Sequence, residues 1–209
     1  YGGTFGGPLI EDRLFFFFNY DKTDIKAPGP DLASGPLNRA TNGITDAQVA
    51  EVISIAQGYG LDPGNLSPGG LDTSVETYLG RFDWNIIDQH RAAFRFSRTE
   101  QAEAILPGFG NNFFSLSSYW YTQNKEFENY VIEVFSDWSD TFSTEVRASY
   151  RDYVSTPQTF GRQPQIQVDF GTANMRLGTE QFRHANVLET QTFNAYAAGN
   201  LFLDDHTVK

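Results

Sequence analysis

Several stretches of the chain alternate apolar and polar residues with a period of two. Over 78–86 every second residue is aromatic, aliphatic or glycine, and the residues between them include Arg81 and Asp83. The same alternation recurs over 144–151 and over 192–201. Because successive side chains of a β-strand point to opposite faces of a sheet, the pattern predicts long strands with one apolar and one polar face.

The predicted strands are about seven in number, and the connections between them are short and long in turn. The strands are expected at 4–10, 14–26, 74–87, 91–103, 116–135, 141–155 and 184–203. Short turns are expected at 11–13, 88–90, 137–140 and 204–206, and long polar loops at 27–71, 104–115 and 156–183. Outer-membrane barrels have short periplasmic turns and longer extracellular loops. The sequence therefore predicts an all-β protein, an antiparallel meander of long strands that is part of a large transmembrane β-barrel.

Charged residues in the middle of the predicted strands indicate which face would meet lipid. Arg81, Arg95 and Arg147 lie in mid-strand, and an arginine that faces lipid at the bilayer midplane costs about 2–4 kcal/mol. The face that carries them is therefore expected to line the lumen of the barrel. The opposite face carries small residues such as Gly80 and Ala197, which lipid tails tolerate but which would leave the core of a soluble protein underfilled.

Aromatic residues gather near the predicted short turns, among them Trp84, Trp138, Phe142 and the four phenylalanines at 15–18. Aromatic rings favour the boundary between membrane and water, so these residues are expected to form a girdle on the periplasmic side. The alternative for 15–18 is a core strand that is buried on both faces, since four consecutive apolar residues suit such a strand.

The first long loop contains the one helix that the sequence predicts. Thr45 and Gln48 have the spacing of a capping box, and Gly58 and Gly60 follow as a possible end. Apolar residues recur at helical spacing between them, at Val49, Val52, Ile53 and Ala56. A short helix in an extracellular loop is therefore expected, either over the barrel mouth or packed on neighbouring loops.

Composition agrees with a membrane barrel and argues against several other classes. Aromatic residues make up 15% of the 209 residues, although the mean hydropathy is −0.41. The chain has no run of about 18 apolar residues, the length that a transmembrane helix needs. The net charge of −11 argues against a nucleic-acid partner, which requires a basic patch. The absence of cysteine excludes disulfides and thiolate sites.

No pattern of residues predicts catalysis or a cofactor, and an enzyme is not expected. The glycine cluster at 2–7 is not followed by the Lys-Ser or Lys-Thr pair of a phosphate-binding loop. Neighbouring carboxylates, Asp137 with Asp140 and Asp204 with Asp205, are explained as turn residues, because aspartate readily caps turns.

The three histidines, His90, His184 and His206, are scattered along the chain and lack the spacing of metal ligands. His90 and His206 sit next to predicted turns. All three are expected to be solvated side chains, and no metal site is predicted.

Three consecutive aromatic residues, Tyr119, Trp120 and Tyr121, are the candidate ligand contacts. They lie near the outer end of the fifth predicted strand. Exposed rings at that position could stack on a sugar or a peptide. The alternative, which the pattern favours, is that they form the outer aromatic girdle of the barrel.

Residues 2–20 read Gly-Gly-Thr-Phe-Gly-Gly-Pro-Leu-Ile-Glu-Asp-Arg-Leu-Phe-Phe-Phe-Phe-Asn-Tyr. This stretch resembles the start of the barrel in TonB-dependent outer-membrane receptors of the Oar-like group, which carry a carboxypeptidase-regulatory-like domain at the N-terminus. The hairpin of 79–85 with 90–96 is also similar to that group, and a weaker resemblance continues over 182–186. The resemblance covers most of the chain, but only its first motif is distinctive.

The resemblance implies TonB-coupled uptake of a ligand by a bacterial outer-membrane receptor with a roughly 22-stranded, plugged barrel. Residues 1–209 would be a partial barrel of about seven strands. The implied partners are outer-membrane lipid, the plug domain of the same parent chain, and the TonB complex through parts outside this sequence. No functional residue of the group maps onto this chain.

Two other functions stay open from the sequence. One is a non-transporting surface or adhesion protein of the outer membrane. The other is a soluble carbohydrate-binding β-sandwich, in which the face of Phe82, Trp84 and Ile86 would pack against a second sheet. The ligand itself is not predicted, although the acidic, polar loops disfavour an anionic one.

The barrel prediction can be tested on the isolated chain. Seven strands cannot close a barrel, so the chain alone would expose two sheet edges and an apolar face. We expect residues 1–209 to aggregate in detergent-free buffer, which size-exclusion chromatography can measure. Elution as a soluble monomer would contradict the prediction.

Overall fold

A computed structural model describes residues 1–29, 43–66, 70–110, 112–203 and 206–209. One antiparallel sheet of eight strands forms most of this part of the chain. In sheet order, its strands are β1 (Gly2–Ile10), β2 (Leu14–Ile25), β3 (Thr73–Ile87), β4 (His90–Ile105), β6 (Tyr121–Ser139), β7 (Phe142–Thr159), β10 (Leu188–Leu203) and β11 (His206–Val208). The predicted antiparallel meander of long strands is therefore confirmed.

The remaining elements lie in the long connections between the strands of this sheet. They are the helix α1 (Asp46–Gly58), the 3₁₀ turn Ser117–Tyr119, and a small sheet of β5 (Phe113–Ser115), β9 (Asn174–Leu177) and β8 (Ile166–Asp169). None of the described helices is long and apolar enough to cross a membrane.

The predicted helix is confirmed together with its capping box. The Thr45 hydroxyl accepts a hydrogen bond from the Gln48 backbone N–H at 3.3 Å, and the Gln48 side chain accepts one from the Thr45 N–H at 2.8 Å. The helix ends at Gly58 as expected, and Gly60 follows with a φ of +77°. Val49 and Ala56 are buried, so the helix packs on neighbouring loops rather than standing free.

Two predicted strand starts were wrong. The fifth long strand begins at Tyr121 and not at 116, because Ser117–Tyr119 turn into a 3₁₀ helix whose backbone bonds to the first loop. The seventh begins at Leu188 and not at 184, because the Glu180 carboxylate accepts the backbone N–H groups of Phe182 and Arg183 and holds a tight turn there. Residues 204 and 205 of the last predicted turn lie outside the described residues.

Cross-strand register places the apolar positions on one side of the eight-stranded sheet, which we call the apolar face. One row across the sheet consists of Phe5, Phe18, Gly80, Phe96, Tyr130, Tyr150 and Phe193. Next to it, Phe16, Phe82, Phe94, Ile132, Ala148 and Ala195 form a second row. Phe82 and Trp84 remain 44% and 49% exposed. No layer of described residues covers this face, which contradicts the β-sandwich alternative.

The opposite side, which we call the polar face, carries the mid-strand charges. Arg81 pairs with Asp83 at 2.6 Å, and Arg147 pairs with Glu133 at 2.6 Å. The guanidinium of Arg91 lies 4.7 Å from the centre of the Phe135 ring. These contacts between side chains of the same face confirm the predicted alternation.

The four phenylalanines at 15–18 divide between the two faces. Phe16 and Phe18 belong to the apolar rows, whereas Phe15 and Phe17 lie on the polar face. Phe15, Phe17 and Phe18 are exposed. These exposures contradict the alternative for residues 15–18, a core strand that is buried on both faces.

Tyrosines mark the end of the apolar face that lies toward the long connections. Tyr78 donates a hydrogen bond to Glu76 at 2.9 Å, and Tyr130 donates one to Glu128 at 3.0 Å. Tyr150 donates to Asp152 in the same way at 3.2 Å. In each pair the carboxylate lies two residues closer to the long connections. The rings thus stay with the apolar rows while their hydroxyl groups reach a charged border, which is the amphipathic placement that tyrosine favours at a membrane boundary.

The two faces predict unequal losses of stability for arginine substitutions at adjacent positions in β7. Ala148 lies in the middle of the apolar face, and Ser149 lies on the polar face. We expect Ala148→Arg to destabilise the full-length protein in lipid by about 2–4 kcal/mol, because the charge would face acyl chains. Ser149→Arg should cost much less. Urea unfolding from lipid vesicles measures both, and equal losses would contradict the assignment of faces.

Candidate ligand site

The long connections fold against one another into a common layer with its own apolar core, which we call the loop layer. The first contributes Ile44, Val49 and Ala56, the second Phe114 and Leu116, and the third Ala173, Met175 and Leu177. All of these side chains are buried. Because each loop supplies part of one core, each depends on the other two for its conformation.

Backbone and side-chain hydrogen bonds join the three loops at the edges of this core. Gln163 bonds Asp62 twice, accepting from its N–H and donating to its carbonyl, both at 2.8 Å. The Ser117 hydroxyl accepts from the Asn65 N–H at 2.9 Å, and the Ser118 hydroxyl accepts from the Gly178 N–H at 2.8 Å. The last of these bonds satisfies the buried Gly178 N–H, and the others fix the exposed loop backbone at Asp62 and Asn65.

Gly178 is required where the third loop leaves β9. Its φ is +84°, and a Cβ at this position would lie 2.0 Å from the Pro164 carbonyl oxygen. Only glycine accepts both the conformation and the close approach. The turn leads directly to Glu180, which is 2% exposed.

A cavity of about 620 Å³ lies between the loop layer and the sheet, and we call it the mouth cavity. Ile105, at the end of β4, lines it and belongs to the polar face by its register with Tyr121. Most of its polar lining comes from the third loop: Gln165, Gln167, Arg176, Glu180, Gln181 and Arg183. Its size lies within the range of about 300–1,000 Å³ that small-molecule sites occupy.

Arg176 and Gln167 form the ordered part of this lining. They pair across the β8·β9 hairpin, where the Arg176 Nε donates to the Gln167 Oε1 at 3.1 Å. The Arg176 guanidinium also lies 4.9 Å from the centre of the Phe113 ring. These two contacts hold a positive charge in one place at the cavity wall.

The structure buries Tyr119, Trp120 and Tyr121 where the loop layer meets the start of β6. They are 4%, 6% and 6% exposed. Trp120 donates to the Ser115 hydroxyl at 2.8 Å, and burial raises the pKa of Tyr119. Tyr119 lines the mouth cavity, whereas Trp120 and Tyr121 are not among its lining residues. Neither exposed stacking rings nor an exposed girdle matches this burial, and a ligand contact by these residues stays a prediction.

His184 is buried against this aromatic group, so its expected solvated position was wrong. Its Nδ1 accepts from the Glu180 N–H at 3.1 Å, and its ring centre lies 4.9 Å from that of Tyr121. Within the described residues, its Nε2 is buried without a hydrogen-bond partner. Burial lowers the pKa of His184, and the nearby Glu180 carboxylate only partly opposes this. No group of acidic, histidine or cysteine residues in the described ranges could hold a metal ion.

The cavity residues were missed in the sequence because they follow no motif. One signal was available, namely the alternation of Ile166 with Val168 and of Met175 with Leu177 inside the third loop. This alternation indicates a short hairpin whose apolar side is buried. It would have placed Gln167 and Arg176 together on the other side.

The loop layer should weaken in acid because of His184. A histidine whose pKa is lowered on folding binds fewer protons when folded, so stability is full above its ordinary pKa of 6.5 and falls as pH drops below it. We expect hydrogen exchange at 176–184 of the full-length protein to be faster at pH 5.5 than at pH 7.5, after correction for intrinsic rates. His184→Asn, which keeps an acceptor for the Glu180 N–H, should abolish the difference. An unchanged difference in that variant would refute the assignment.

Comparison with known families gives one match. Residues 1–70, about a third of the chain, match a family model described as an outer membrane beta barrel domain. No curated protein and no solved structure shows significant similarity to the chain. The match covers β1, β2 and the first long connection, and six further strands, β3, β4, β6, β7, β10 and β11, continue the same sheet. The chain is therefore an outer-membrane β-barrel protein, and it resides in the bacterial outer membrane.

Proposed function

We propose that the parent protein is a receptor that imports a ligand by TonB-coupled transport, and that this chain provides barrel wall and ligand-binding loops. The observation that carries the proposal is the loop layer. Loops from separate hairpins share one core, and the second and third of them line an open cavity that borders the polar face at Ile105. A barrel that only had to remain in the membrane would not need loops ordered in this way.

The chemistry of the strands supports a wall around an occupied lumen. The polar face carries paired charges and stacked arginines, which would be costly against lipid but suit water or another polar surface. In the proposed receptor the plug domain of the parent chain lies against this face, and the apolar face contacts outer-membrane lipid. The TonB complex acts through parts of the parent beyond this sequence. The resemblance of residues 2–20 to Oar-like receptors points the same way.

The chain's role in this proposal is non-enzymatic. Its cavity holds amides, two arginines and one buried carboxylate that is already bonded to backbone N–H groups. General acid–base catalysis needs a titrating group within reach of a substrate. The proposal therefore assigns ligand binding to this lining.

A second candidate, adhesion at the cell surface, is favoured by exposed apolar residues on the loops. Ile55, Tyr59, Phe160 and Phe182 are all exposed. Apolar side chains at a protein surface can serve as contacts for another macromolecule. The two candidate functions, transport and adhesion, differ in one observable: only a transporter removes a solute from the growth medium.

The test compares wild-type cells with cells that lack the gene for the parent protein. Mass spectrometry of the growth medium, with and without a protonophore, measures which solutes each strain removes. We expect at least one solute to be depleted by wild-type cells only, and only without the protonophore. A deletion that impairs attachment to surfaces but leaves every solute profile unchanged would favour adhesion and reject transport.

A further inference from the structure

Two side-chain acceptors of the mouth cavity, the amide oxygens of Gln165 and Gln167, are already used within the protein. Gln165 Oε1 accepts from the Gln181 N–H at 2.9 Å, and Gln167 Oε1 accepts from Arg176 Nε at 3.1 Å. A backbone N–H and a guanidinium can only donate. The orientation of both amides is thereby fixed, and their oxygens are turned toward the protein.

The donor side of the same amides stays available. Among the described residues, the Nε2 atoms of Gln165 and Gln167 donate to no protein group. Arg176 adds a positive charge held by Gln167 and Phe113, and exposed Arg183 adds another. The wall therefore offers N–H donors where a ligand would sit.

The lining contains a single carboxylate, and it is occupied. Glu180 is 2% exposed and accepts the backbone N–H groups of Phe182 and Arg183. Its other oxygen lies 3.6 Å from the Arg183 guanidinium. Two arginines against one internally bonded carboxylate give the cavity a positive balance, although the whole chain carries −11.

We propose that the mouth cavity binds a small ligand through a carboxylate, with Arg176 and the Nε2 atoms of Gln165 and Gln167 as donors. A guanidinium flanked by amide N–H groups matches the oxygens of a carboxylate, and such charge-assisted bonds are the strong ones. The acidic loops do not prevent this, because charges farther away than about 8 Å are largely screened at physiological ionic strength. This proposal rests on the proposed receptor function and names its ligand class.

The test measures binding to the purified full-length parent in detergent by isothermal titration calorimetry. Succinate, citrate and trialanine serve as carboxylate probes, inorganic phosphate as another anion, and maltotriose as a neutral ligand. We expect at least one carboxylate probe to bind, and maltotriose not to bind. Absence of binding by all three carboxylates, or binding of phosphate or maltotriose alone, would overturn the proposal.

The sharpest variant is Gln165→Glu, which keeps the acceptor for the Gln181 N–H and replaces the donor by a charged oxygen. We expect it to weaken carboxylate binding at least about tenfold, the scale of one lost charge-assisted hydrogen bond. Arg176→Gln should do the same. Carboxylate binding that survives both variants unchanged would contradict the assigned donors.

The matched control is Gln158→Glu, the same change at an exposed residue outside the cavity. Gln158 Oε1 accepts from the Asn124 side chain at 3.3 Å, so this control also keeps an acceptor while adding one negative charge. Arg162→Gln is the second control, since Arg162 is exposed in the same loop but does not line the cavity. Both should bind the carboxylate as the wild type does. If either control lost as much carboxylate affinity as Gln165→Glu, the effect would come from the overall charge of the protein, and the proposed site would be wrong.

The outcome separates the ligand class from the transport function. Carboxylate binding without energy-dependent depletion of any solute would leave the site standing and reject transport. Energy-dependent depletion of neutral solutes only, unchanged in Gln165→Glu cells, would leave transport standing and reject the carboxylate ligand.

Discussion

Pairing of backbone N–H and C=O groups between adjacent strands is the constraint on which the rest of this molecule depends. Hydrocarbon offers no hydrogen bonds, so a sheet that crosses a membrane must satisfy its backbone from strand to strand. The ladder of β6 with β7 runs from Tyr121 opposite Thr159 to Asp137 opposite Ser143, well beyond the mean strand of a soluble domain. The apolar–polar alternation along these strands and the short turns between them set the register. The register in turn sends every second side chain to the apolar face and leaves the charges on the other.

The loop layer solves a different problem with the same chain. Among the described residues, the long connections pair only part of their backbone internally, in the helix α1 and the β8·β9 hairpin, and each supplies only two or three residues to the buried core. Sharing Val49, Phe114 and Met175 among three loops gives one core, and Ser117 and Ser118 bond the backbone groups at its edge. The conformation of the loop layer therefore depends on the eight-stranded sheet, because the strand hairpins hold the three loops at the separation that this core requires.

The sequence was informative where structure follows from local periodicity and poor where it follows from contacts between loops. Alternation over 78–86 and 144–151 predicted the strands and their faces, and Thr45 with Gln48 predicted the start of α1, because these signals involve neighbours in the chain. The burial of His184 depends on Tyr121, 63 positions away, and on the turn at Glu180. Tyr119 was predicted to be a surface ring for the same reason. The third loop covers it in the structure, but the residues next to Tyr119 in the sequence give no sign of that contact.

The distribution of charge shows why net charge is a poor guide to the ligand of such a protein. Many of the acids lie on the apolar-face side of the sheet beyond the tyrosines, at Glu76, Glu100, Glu126, Glu128 and Asp152. The arginines of the strands lie mostly on the polar face, at Arg81, Arg91, Arg95, Arg147 and Arg151. The strands of this sheet thus separate their acids from their arginines in two ways: by the face on which the side chain lies, and by its distance from the long connections. A solute approaching from the loops meets the local set around Arg176, and hydrogen-bond donors there decide its fit more than a total of −11.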